Sequence, residues 1–263
     1  MQQISDIIKG IERWNVWYYM ALNDVRSRYK RTILGPFWTV LNVGILVLAL
    51  GLVYSYLWKV DTAVFLPYFS AGYVSWIFFT STINESNYAL INSEKAIKST
   101  ALPYSVHIFR VLARNVIVLA HCLLVHLCVI IYFGIWPNMN MVLLFPLGLF
   151  ILFMNLLWIA VFLSVICARY RDVSQAVTSV LQVAFFVTPI FWQVKILDDR
   201  PEVRLILADL NPVFHYVELV RKPLLGQVPA LETYVVTIVI AVIGSMLSLS
   251  IFSRYKGRIA FWV

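Results

Sequence analysis

The chain has 263 residues, of which 61% are hydrophobic and 13% charged, with a mean hydropathy of +0.82 and a formal net charge of +8. An average soluble domain is roughly 45–50% apolar and about 25% charged. A water-soluble globular fold is therefore excluded, and lipid is the solvent for much of this chain.

The first 31 residues carry no basic, apolar and small-residue series of the kind that marks a cleaved secretory leader, so this segment is expected to be retained. Within it Ile4, Ile7, Ile8, Ile11, Trp14 and Tyr18 recur at helical spacing, with Asp6, Lys9, Glu12 and Arg13 between them. This pattern predicts an amphipathic helix over residues 1–31 that lies in the membrane interface or packs against a partner protein.

Spans are delimited by gaps between charges, since a transmembrane helix needs about 20 mostly apolar residues. Charge-free intervals run Thr32–Trp58, Thr62–Asn84, Asn115–Ala168, Val173–Val194 and Thr233–Ser253. The third is too long for one helix and is broken at Trp136-Pro137-Asn138-Met139-Asn140, a turn-forming cluster. Six spans are predicted, over about 33–58, 62–84, 115–136, 141–168, 173–194 and 233–253, with a basic loop at 85–114 and an external segment at 195–232. In that external segment Asn211-Pro212 reads as a helix start and Gly226 as its stop, which places Glu218 within one turn of Arg221 and Lys222. A pair of short helices dipping into the outer leaflet or lying on it is expected there, with a soluble lid as the alternative. The three cysteines, Cys122, Cys128 and Cys167, sit in apolar runs and read as small buried hydrophobes, without support for a disulfide framework or metal site.

Sorted by loop, 15 Lys+Arg and 6 acids fall on the side of the termini, against 6 and 7 on the other. The excess is thus +9 on one side and −1 on the other, and the positive-inside rule puts both termini in the cytoplasm. The basic balance records membrane orientation and calls for no nucleic acid.

No Gly-x-x-x-x-Gly-Lys-Ser/Thr occurs, so any ATP-driven work belongs to another subunit. His121 and His126 stand about 140° apart around a helix and make an improbable metal pair. Spans this bare of ionisable groups count against an ion-coupled carrier and against an embedded hydrolase or glycosyltransferase. What the spans do carry is aromatic residues, 15% of the chain. Trp14, Trp17, Tyr18, Tyr19, Trp38, Trp58, Trp136 and Trp192 fit an interfacial belt. Tyr54, Tyr73, Trp76, Phe185, Phe186, Phe191 and Trp192 are candidates to line a path for sugar rings, and periodicity does not separate such a wall from a helix interface.

Three stretches together carry a family resemblance. Arg28-Tyr29-Lys30-Arg31-Thr32-Ile33-Leu34-Gly35-Pro36-Phe37-Trp38, Arg169-Tyr170-Arg171-Asp172-Val173, and Asn211-Pro212 through Val220-Arg221 to Leu224-Leu225-Gly226 are similar to segments of ABC-2 type permeases that export polysaccharides. The resemblance covers essentially the whole chain and favours the O-antigen branch over the capsule and teichoic acid branches. It implies an all-α membrane protein of six transmembrane helices, with a retained N-terminal interface helix (1–31) ahead of an ABC-2 type transmembrane domain (32–263). It also implies a bacterial inner-membrane homodimer with no catalytic site, metal or cofactor of its own, paired with two copies of an ATPase that binds ATP and Mg.

In such a transporter the loop at roughly Asn87–Ser105 forms a coupling helix that docks on the ATPase, with Glu94, Lys95 and Lys98 as polar handles and Pro103 ending it. A solvated basic loop is the alternative. Arg169, Arg171 and Asp172 are a second ATPase contact or a turn with an internal ion pair. Arg26, Arg28, Lys30 and Arg31 are expected at the headgroup level, where they attract the pyrophosphate of a lipid-linked glycan or simply anchor the chain. The expected substrate is a polysaccharide on undecaprenyl pyrophosphate. An ABC-2 exporter of a lipid or drug, an ion-driven flippase and a non-transporting scaffold are the competing readings.

Overall fold

The computed structural model describes residues 4–263, and the first three residues of the predicted N-terminal helix lie outside that range. That helix is two: α1 (Ile4–Glu12) and α2 (Trp14–Arg28), broken where Arg13 leaves helical geometry at φ −89° and ψ 34°. Asp6, on the polar face in the sequence pattern, is buried. It accepts hydrogen bonds from the Ser105 backbone N–H at 3.2 Å and hydroxyl at 3.0 Å, and pairs with Lys256 at 3.0 Å. Gly10 rests on Ser105, where a Cβ would collide with the hydroxyl. Ile8, Ile11, Trp14 and Tyr18 are exposed along α1 and α2.

Among the described residues, five helices are long and apolar enough to cross a membrane: α3 (Phe37–Trp58), α4 (Thr62–Ser86), α6 (Tyr104–Tyr132), α7 (Met139–Arg169) and α11 (Leu231–Tyr255), the last running on into the tail. Of the segment predicted as a span at 173–194, the helix α8 (Asp172–Val187) takes 16 residues, a rise of about 24 Å, and the remainder turns back on its end. Thr188 is extended at ψ 138° because it precedes Pro189, which has no N–H to continue the ladder. The loop predicted at 85–114 is shorter than expected, since α6 begins at Tyr104 and takes Arg110 and Arg114 onto its first turns. Within the loop lies α5 (Glu94–Ser99).

After α8 the chain makes a 3₁₀ turn at Val194–Leu197, a single helical turn α9 (Pro201–Arg204), a π turn at Leu205–Asp209 and then α10 (Pro212–Leu224). Asn211 caps α10 by accepting the Val213 N–H at 3.0 Å, Pro212 occupies the first helical position, and Gly226 ends the segment at φ +70°. This helix is no lid lying on the surface. It packs among α4, α7 and α11, with His215 to Arg221 buried throughout.

Gly148 on α7 permits that approach, because a Cβ there would fall inside the van der Waals shell of the Leu219 carbonyl. Asn155 ties α7, α10 and α11. Its carbonyl accepts from Tyr216 at 3.0 Å and from Trp158 at 3.2 Å, and its amide donates to the Thr237 carbonyl at 3.1 Å. Cys122 and Cys167 are buried as expected, whereas Cys128 is exposed on the outer face of α6. His126 bridges α4 and α10, with Nδ1 2.8 Å from the Ser70 hydroxyl and Nε2 3.2 Å from the Leu224 carbonyl.

Candidate functional site

Helices α3, α4 and α8 leave between them a groove of about 390 Å³. Tyr73 and Trp76 reach it from α4, and Phe185 and Phe186 from the end of α8. Phe185 is the centre of the aromatic surface, with ring centroids 5.6 Å from Trp76, 6.4 Å from Tyr73, 5.3 Å from Phe186 and 5.5 Å from Phe191. Tyr54 of α3 joins through Phe191 at 5.0 Å, and the Trp192 indole donates to the Phe186 carbonyl at 3.2 Å. The early end of α8 makes this cluster: had the helix continued, Phe191 would not fold back onto Phe185 and Phe186.

That reversal is clamped from α4 and α10. The Tyr68 hydroxyl donates to the Trp192 carbonyl at 3.1 Å, and Arg221 donates to the Pro189 carbonyl at 2.5 Å. Arg221 is fully buried, and its charge is met by Glu218, with Nε 2.7 Å from Oε1, and by the Tyr68 ring 4.2 Å below the guanidinium. Gly72 leaves the room for it on α4.

Further along the groove the lining changes from aromatic to neutral polar: Thr80 and Asn84 on α4, Thr178 and Gln182 on α8, with the Thr178 hydroxyl donating to Asn84 Oδ1 at 3.0 Å. None of the groove's lining residues is charged. Aromatic faces carry negative quadrupoles that accept polarised C–H groups, and amides and hydroxyls exchange hydrogen bonds with hydroxyls. Such a surface holds a sugar ring without fixing it through a charge.

At the end of the bundle where α4 finishes, α5 turns Glu94, Lys95 and Lys98 outward while Ile97 packs inward. Glu94 and Lys98 pair at 2.7 Å, and the Lys98 hydrogen bond and charge hold the Glu94 carboxyl below its ordinary range. Pro103 does not end this helix. The chain is already extended at Thr100, φ −133° and ψ 138°, and Pro103 instead precedes α6. The Arg169–Asp172 turn lies at the same end, close enough for Arg171 to act on Glu94. Among the described residues Asp172 joins no ion pair; it heads the first turn of α8, where a carboxylate meets the positive helix terminus. Arg169 lies over the rings of Tyr170, Tyr255 and Trp262 at 5.0, 5.7 and 5.3 Å, so it holds the C-terminal segment.

The basic cluster around residue 28 divides. Arg28 pairs with Glu85 at 2.7 Å, which raises its pKa above the ordinary arginine value, and Glu85 continues to Arg114 at 2.7 Å, Arg114 to Asp24 at 3.0 Å, and Asp24 to Arg110 with Nε at 2.7 Å. Arg26, Lys30 and Arg31 are exposed and join no ion pair among the described residues.

The ABC-2 type transporter family matches residues 16–225. The chain belongs to this family. It is 25% identical over 194 residues to the O-antigen export system permease protein RfbA of Myxococcus xanthus, covering 74% of each chain. To a protein of the same name from Klebsiella pneumoniae it is 24% identical over 262 residues, covering 94% of this chain and 97% of that one. Together with the apolar helices, family membership makes it a multi-pass membrane protein of the ABC-2 class.

For this ABC-2 protein the structure brings together the seven aromatic residues singled out from sequence, and places α5 and the Arg169–Asp172 turn at one end. It separates Arg28 from the other three cations. Sequence reasoning missed Thr80, Asn84, Thr178 and Gln182. Their signal was present: within charge-free intervals, 80 and 84, then 178 and 182, are spaced one helical turn apart.

Proposed function

We propose that this chain is the transmembrane subunit of an ABC transporter that exports a lipid-linked polysaccharide of the O-antigen class, carried on undecaprenyl pyrophosphate, across the bacterial inner membrane. It acts as a homodimer with two copies of a separate ATPase that binds ATP and Mg, and both termini face the cytoplasm. The observation that carries this reading is the uncharged groove of rings, hydroxyls and amides between α3, α4 and α8, whose chemistry suits a sliding glycan. The names of its relatives support it. Exposed Arg26, Lys30 and Arg31 stand free to attract a pyrophosphate at the membrane surface. Movement of the ATPase reaches the groove through α5 and the Arg169–Asp172 turn, the latter joined directly to α8.

Removing the chain from a cell that makes the polymer is expected to leave lipid-linked glycan inside and none at the surface, and the identity of the accumulated polymer distinguishes O-antigen from capsule or teichoic acid. Unchanged surface glycan overturns the reading. Purification in mild detergent is expected to bring along a nucleotide-binding subunit stimulated by the lipid-linked glycan.

A further inference from the structure

A second cavity, of about 400 Å³, opens at the opposite end of α4 from α5. It lies between the first turns of α4, the segment after α8 and the last turns of α10, and its wall has two characters. Its lining is apolar at Val64, Pro67, Ile135 and Leu225 and cationic at Lys195 and Lys222, and the buried Arg221 and Glu218 form its base. The base is internally satisfied, since Arg221 is spent on Glu218 and the Pro189 carbonyl. The two lysines are not. Lys195 is exposed and joins no ion pair among the described residues, and Lys222 lies 3.8 Å from Glu218 and donates to Gln227 Oε1 at 3.1 Å, with donors to spare. The lining thus holds three cations and one carboxylate, within a side of the protein whose loops sum to −1.

We propose that this cavity binds the phosphorylated headgroup of a lipid. Two flexible ammonium groups beside a closed ion pair suit a multiply charged phosphate, for which lysine acts as a point charge. The adjoining apolar wall suits the first carbons of the attached chain. The volume lies within the ordinary range of about 300–1,000 Å³ for ligand sites. Two sources supply this chemistry, a polyprenyl pyrophosphate and an anionic bilayer phospholipid. Placing the site on the exit route of an exported glycan rests on the function proposed above, whereas the binding itself does not.

The test is lipid titration of the purified full-length protein by native mass spectrometry, without nucleotide or ATPase. Undecaprenyl pyrophosphate and phosphatidylglycerol are the two probes, and a Lys195→Gln/Lys222→Gln variant is compared with a Lys195→Arg/Lys222→Arg variant that keeps the charge. We expect the Gln variant to bind one of the two lipids about tenfold more weakly, and the lipid affected identifies the source. The Arg variant should retain wild-type affinity, and near-wild-type melting of both variants shows that the loss is not misfolding. Equal affinity of wild type and the Gln variant for both lipids overturns the proposal. Because no transport is measured, that failure leaves the export reading standing, and the deletion experiment decides it separately.

Discussion

Phe185 touches four other rings of the groove, and Thr178 supplies its best-placed hydroxyl. Phe185→Ala removes the centre of the aromatic surface while α8, held at Thr188 by the Asn211 amide at 3.0 Å, keeps its end. Export measured as surface polymer per unit of membrane-inserted protein should fall severalfold with dimer assembly intact. Thr178→Val keeps the volume but removes the hydroxyl that bonds Asn84 at the polar end of the groove, and export should fall there too. A normal export rate in both variants would remove the groove from the path. Gly148 offers a purely structural contrast. Gly148→Ala drives a methyl into the Leu219 carbonyl and should cost roughly 2 kcal/mol in thermal unfolding. Gly257→Ala, where a Cβ meets nothing within 4 Å, should melt like the wild type.

At the scale of elements, what was legible in the sequence were features written in local chemistry. Asn211-Pro212 and Gly226 bound α10 because a cap, a fixed φ and a left-handed residue act within a few positions. Less legible was anything decided by tertiary partners. Asp6 looked like part of a solvated face, and its burial follows only from Ser105 and Lys256, which lie distant in the chain. The end of α8 was written in Thr188-Pro189, yet charge spacing alone ran the span on to 194, since hydropathy does not register a break in the backbone. The groove's rings were found one by one, but their union needed that break. For α5, the outward position of Glu94, Lys95 and Lys98 on an anchored turn argues for docking through charge. Reversing all three signs should uncouple ATP hydrolysis from export while the purified chain melts nearly unchanged, because the exposed Glu94–Lys98 pair is kept with its signs exchanged. Retained coupling in the purified complex would make α5 a passive connector.

Across the whole molecule, the N-terminal helix α2 is joined to the bundle by alternating charges, Arg28, Glu85, Arg114, Asp24 and Arg110, that link α2 with α4 and α6. Asp24, like Glu85, faces two guanidinium groups at once, and its side chain is the less exposed of the two at 14%. A charge-assisted hydrogen bond contributes about 1.5–3 kcal/mol when shielded, and partial solvent access here reduces that to roughly 1–2 kcal/mol. Asp24→Asn should therefore leave α1 held by Asp6 but let α2 detach more often. Amide exchange across Trp14–Arg28 is expected to quicken by about tenfold, with protection in α11 unchanged. Since Glu85 is shared with Asn115 at 2.6 Å and with Arg28, α4 keeps its own ties to α6 and the groove keeps its shape. A variant that loosens α2 alone then separates two roles for the N-terminal segment. If export falls in step with the exchange rate, the helix transmits motion between the end of the bundle that carries α5 and the groove. If export is unaffected, its task ends at anchoring the exposed stripe of Ile8, Ile11, Trp14 and Tyr18 in the bilayer surface.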